Sequence, residues 1–170
     1  RVLPGEFELI VTTDVGPRII HFALAGQPNE FKVYDDQAGL TGGDTWRVYG
    51  GHRLWYAPED RLYTEYPDNE PVNIEQRGDH VRLIQAVERV SGIQKEIDIR
   101  LAPGQAQVTL THRLRQTGSA VMEIAPWALS VMDTGGVAII PLPPRRPHGE
   151  TLLPANTLTL WPYTNMSDPR

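Results

Sequence analysis

The residues best equipped for chemistry lie in one stretch, from Gly50 to Pro71. It carries His52, Arg53, Glu59, Arg61, Asp68, Asn69 and Glu70 among the rings of Trp55, Tyr56, Tyr63 and Tyr66. Paired carboxylates, Glu59 with Asp68 or Glu70, could act as general acid and base. Imidazole, guanidinium and amide groups beside aromatic faces can hold a polar ligand that also has apolar faces, and a sugar is the common one. In such a site His52, Arg53, Arg61, Asp68 and Asn69 would bond ligand hydroxyls, while Trp55 and Tyr66 would stack on the ring. Each residue also has a plainer role. His52 and Arg53 could satisfy buried loop carbonyls, Asp68 and Asn69 could cap turns, and carboxylates on loops are usually just solvated.

Two candidates lie outside this stretch. His112 falls on the apolar side of a predicted strand, where a histidine is usually a satisfied core residue. It becomes a candidate general acid, alongside Glu59 as the catalytic carboxylate, if that face lines a pocket. Trp127 could stack on a sugar or fill the core. His21 and His80 read like His112 with less reason to promote them, and His148 is a loop residue.

The stretch cannot be a helix interior, because Pro58, Pro67 and Pro71 each lack an amide donor and clash with a preceding turn. It reads as a short strand, Arg53 to Ala57, followed by a long structured loop over an open sheet face. Gly50 and Gly51 ahead of it allow close backbone approach. Further strands are predicted at Glu6–Thr13, Arg18–Leu24 and Glu30–Tyr34, then at Val72–Gln76, His80–Val90 and Ile93–Leu101. Others follow at Gln105–Arg115, in the apolar run Val121–Met132 broken at Pro126, and at Val137–Ile140 and Thr157–Trp161. Turns fall at Gly16-Pro17, Gly78-Asp79, Pro103-Gly104 and Asp133 to Gly136. In Ile93–Leu101 the residues Ile97, Ile99 and Leu101 share one face, opposite Glu96, Asp98 and Arg100, as in a strand with one buried and one wet side. No window gives an amphipathic helix. With 15 glycines and 15 prolines in 170 residues, the pattern predicts an all-β chain folded as an antiparallel β-sandwich.

Composition removes several classes of function. The net charge is −5 and no basic run exceeds two residues, so neither nucleic acid nor an anionic membrane is an expected partner. No cysteine is present, which excludes disulfides, thiolate metal sites and a Cys nucleophile. No apolar run approaches the ~18 residues that cross a bilayer. There is no phosphate-binding glycine loop, no Gly-x-Ser-x-Gly elbow and no His-x-x-x-His or His-x-His spacing for zinc.

Four stretches together resemble the galactose mutarotase-like superfamily, nearest its bacterial branches that stand apart from the true aldose 1-epimerases. They are Gly16-Pro17-Arg18-Ile19-Ile20 with Gly26 to Phe31; Gly50-Gly51-His52-Arg53-Leu54-Trp55 through Pro58-Glu59; Ala125-Pro126-Trp127-Ala128-Leu129 with Gly135-Gly136; and Leu160-Trp161-Pro162-Tyr163 with Ser167-Asp168-Pro169-Arg170. The resemblance implies a large antiparallel supersandwich, of which this single domain would be the N-terminal part. It implies sugar bound on a concave sheet face, with no metal or organic cofactor. Epimerases of this kind use a histidine acid and a glutamate base. The place of that histidine is taken here by Ala125-Pro126-Trp127-Ala128, and the chain stops before the strand that would carry the glutamate. The expected function is therefore carbohydrate or small-polyol binding. The alternatives are a sugar epimerase using the loop carboxylates and His112, and a structural module that self-associates through unpaired strand edges. A homo-oligomer is expected in any of these cases.

Overall fold

A computed structural model describes residues 7–102, 104–150 and 152–167. Glu6 of the first predicted strand, Pro103 of the predicted turn and Asp168 to Arg170 of the fourth motif lie outside the described residues. The chain divides into two units, residues 1–133 and 134–170.

The first unit contains eight strands: β1 (Phe7–Val11), β2 (Arg18–Leu24), β3 (Gly51–Ala57), β4 (Asn73–Arg77), β5 (His80–Ile84), β6 (Ile93–Leu101), β7 (Val108–Gln116) and β8 (Ala125–Val131). They form two four-stranded sheets, ordered β1-β2-β3-β8 and β4-β5-β6-β7. Every pairing is antiparallel. There is no helix among the described residues. The fold is all-β and sandwich-like.

Alternation explains the core. Phe7 and Leu9 of β1, Ile19 of β2 and Leu54 of β3 pack with Leu83 of β5 and Ile97 and Ile99 of β6. One inner face from each sheet thus supplies the core, as in any two-layer β structure. The outer face of the second sheet is less wet than the alternation predicts. Glu96 and Asp98 are buried there beneath arginines. Arg82 reaches Asp98 at 2.6 Å and Glu96 at 3.6 Å, and Arg113 reaches Asp98 at 2.6 Å. The hydrogen bonds from Arg82 hold the Asp98 carboxyl well below the usual carboxylate range.

Some predicted strands are shorter or missing. Glu30–Tyr34 makes only two isolated bridges, Phe31 to Met132 and Val33 to Gly50, wedged between the start of β3 and the end of β8. The predicted strand from His80 stops at Ile84, because the chain turns at Glu88–Gly92 to start β6. Neither Val137–Ile140 nor Thr157–Trp161 is a strand. The described part of the second unit has local bonds, such as Thr164 N–H to Trp161 C=O at 2.9 Å, but no ladder. The side chains of Val137, Ile139 and Leu158 are exposed. Apolar content suggested strands there, but a strand also needs a partner for its backbone groups.

Candidate functional site

Gly50 and Gly51 set the start of β3. Both have positive φ, 101° and 70°. A Cβ at Gly50 would stand 2.0 Å from the Lys32 carbonyl oxygen, and one at Gly51 would stand 2.2 Å from that of Ile19. Only glycine permits this approach, and it delivers His52 and Arg53 to opposite faces of the sheet.

His52 points inward. Its Nε2 lies 2.8 Å from Nε2 of His112 on β7, and its Nδ1 lies 2.8 Å from Ser130 Oγ on β8. One ring N–H donates between the imidazoles and the other ring accepts. Burial and the neighbouring His112 push His52 down to about 4, and burial lowers His112 as well. Both rings are therefore neutral at physiological pH. The pair joins the two sheets.

Arg53 points the other way. Its guanidinium lies 4.1 Å from the centre of the Trp55 ring and 5.0 Å from that of Trp46, a cation–π arrangement. The Trp127 ring meets Trp55 edge-on, with centroids 5.5 Å apart. Burial and the nearby Arg18 guanidinium push Arg53 down to about 9, and it stays cationic at neutral pH. Arg53 is 5% exposed and makes one long hydrogen bond, 3.5 Å, to the Arg47 carbonyl. Most of its five donors are uncommitted. Arg18 contrasts with it: its guanidinium bonds Asp68 at 2.6 Å and the Val48 carbonyl at 2.8 Å.

The loop after β3 is ordered by its own side chains. Asp60 Oδ1 accepts from the amides of Leu62 and Tyr63 at 2.8 and 3.0 Å. Thr64 Oγ1 closes the turn on the Asp60 carbonyl at 2.6 Å. Asn69 is fully engaged: its amide donates to the Gly43 and Thr45 carbonyls at 2.9 and 2.8 Å, and its Oδ1 accepts from Tyr49 OH at 3.0 Å. It shapes the loop at 43–45 and has little left for a ligand. Asp68 is likewise committed to Arg18.

These loops form a half-open cavity of about 530 Å³. Trp46 and Tyr66 give it aromatic walls, Leu62 and Val90 add apolar surface, and Asp44, Arg61, Glu65, Glu70 and Arg89 bring charge. Of the residues singled out from sequence, Arg61, Tyr66, Asn69 and Glu70 line this cavity. Arg53, Trp55 and Trp127 form the stack behind Trp46. His52 and His112 meet each other between the sheets. Glu59 is exposed on the loop, two residues beyond the end of β3 at Ala57. His112 is half-buried against His52.

Trp46, Tyr49, Glu88 and Lys95 belong to the site without standing out in the sequence as candidates. Lys95 had a legible signal. It sits between Ile93 and Ile97 at the inward parity of β6, and a lysine there must be paired. Trp46 and Tyr49 had none, since only the fold brings them against Arg53 and Asn69. Among the described residues no group of three or more His, Asp or Glu is placed to hold a metal ion. Comparison of the chain with family models, curated proteins and solved structures finds no match.

Proposed function

We propose that the protein is a carbohydrate-binding domain that holds a saccharide or similar small polyol in the loop cavity, without catalysis. The observation that carries this reading is the cavity lining, which combines two aromatic residues, Trp46 and Tyr66, with Glu65, Glu70, Asp44 and Arg61. A pyranose has apolar C–H faces and an equatorial belt of hydroxyls. Aromatic rings cover the first, and carboxylates and guanidinium groups bond the second. The volume accommodates one or two sugar rings. The cavity is built on a well-braced loop rather than on a loose one, which lowers the ordering cost of binding.

The four stretches that resemble the mutarotase-like superfamily support the same ligand class. An exposed Glu59 and a His112 that lies between the sheets against His52 favour binding over an acid–base couple of those two.

The test is a titration of intrinsic tryptophan fluorescence with neutral hexoses, hexuronates and their methyl glycosides. At least one member should bind, and Trp46→Ala should weaken it about tenfold or more, the loss expected of one stacking ring. Binding that is indifferent to Trp46→Ala, or no binding by any member, would overturn the proposal.

A further inference from the structure

A buried ion pair stands directly behind the cavity walls. Lys95 Nζ lies 2.6 Å from Glu88 Oε1, and the two residues are 2% and 0% exposed. Glu88 Oε2 accepts from Ser91 Oγ at 2.6 Å and lies 3.1 Å from Tyr56 OH. Tyr56 OH is also 2.8 Å from the Tyr63 carbonyl, and its one proton is shared between these two acceptors. Burial raises the Tyr56 phenol above its ordinary value, so the hydroxyl keeps its proton as a donor. The Lys95 ammonium sits 5.4 Å from the centre of the Tyr56 ring.

Two of the cavity's walls, the segments 61–67 and 89–90, hang from this group. Tyr63 belongs to the segment that supplies Arg61, Leu62, Glu65, Tyr66 and Pro67, and Glu88 immediately precedes Arg89 and Val90 on the other side. The turn at Glu88 is tight: its N–H donates to the Ile93 carbonyl and its carbonyl accepts from Gly92 N–H, both at 2.8 Å. The Arg89 amide reaches Tyr66 OH at 3.5 Å, so the walls also touch. A buried ion pair gains little stability over an apolar pair of equal volume. What this pair supplies is geometry, because it admits one arrangement of Tyr56, Ser91 and the turn.

We propose that Glu88 and Lys95 are positioning residues that set the spacing of the two cavity walls, one through Tyr56 and Tyr63, the other through the Glu88 turn. The binding role rests on the carbohydrate reading above; the clamp itself does not.

The test compares the wild-type full chain with the double variant Glu88→Gln/Lys95→Met, which removes both charges at similar volume and keeps an acceptor for Ser91. Amide hydrogen exchange is followed by NMR, with D-glucose and D-galactose as binding probes. Exchange at residues 61–66 and 89–92 should accelerate at least tenfold. The β1–β2 and β6–β7 ladders should keep their protection and the melting temperature should move by only a few degrees. A sugar that binds wild type should lose at least tenfold in affinity. Unchanged exchange in both walls would overturn the clamp whether or not sugar binds. Accelerated exchange in a chain that binds neither sugar would support the clamp while counting against the carbohydrate reading. Tyr56→Phe removes only the hydroxyl link and settles the matter if the double variant does not fold: it should loosen 61–66 and leave 89–92 protected, and unchanged protection at 61–66 would overturn the proposal.

Discussion

At His52 a single ring couples protonation to folding. It is 7% exposed, held between Ser130 and His112, and lowered to about 4 by burial and by His112. An unfolded histidine titrates near ~6.5. Between those values the unfolded chain binds the proton and the folded chain does not, so stability is complete above about pH 6.5 and declines as pH falls towards 4. The size is roughly 3 kcal/mol. Urea midpoints measured from pH 7.5 to 4.5 should show this decline, and His52→Gln should lower stability at pH 7.5 while flattening the slope. The Arg18–Asp68 pair is a second strong determinant. Asp68→Asn leaves a buried guanidinium without its counterion and should destabilise by about 3–5 kcal/mol in the same urea assay.

The paired glycines act on whole elements. They let β3 start against the Lys32 and Ile19 carbonyls, and β3 then holds β2 on one side and β8 on the other. Gly51→Ala places a methyl group on a carbonyl oxygen at a positive φ. It should cost more than about 2 kcal/mol in chemical denaturation, well beyond an ordinary Gly→Ala change. The strands themselves were mostly legible. Arg18–Leu24 and Ile93–Leu101 match their predicted bounds, because clean alternation between turn residues leaves one register that buries the apolar face. Position within the fold was less legible. His52 and Arg53 are neighbours in sequence and both candidates for one site, yet the two-residue period of a strand sends them to opposite faces. The sequence offers Asn69 and Asp68 as ligand contacts or turn caps, and the structure uses their side chains to fasten Tyr49 and Arg18. The aromatic partner that completes the cavity, Trp46, lies before the glycines, in a loop whose residues carry no periodic signal.

At the level of the molecule, the two ends of the sheets differ. β4, an end strand, carries Glu75 and Arg77, and charge on an edge discourages pairing with another chain. β8, the end strand of the other sheet, has no charged residue from Ala125 to Val131. We predict concentration-dependent self-association through this edge. Light scattering should show the mass rising with concentration, and Ala128→Lys should suppress the rise; a strictly monomeric wild-type chain at high concentration would contradict it. The sandwich thus presents two distinct surfaces, an uncharged strand edge and a braced loop cavity with aromatic walls. The cavity claim is tested most directly by the indole N–H resonance of Trp46, followed by NMR as a neutral hexose or hexuronate is added. This N–H is buried without an acceptor and sits on a ring that lines the cavity. The account predicts saturable shifts at Trp46, Tyr66 and Glu70 with those at His52 and His112 unmoved. Shifts centred on the histidine pair, or none at any sugar concentration, would contradict it.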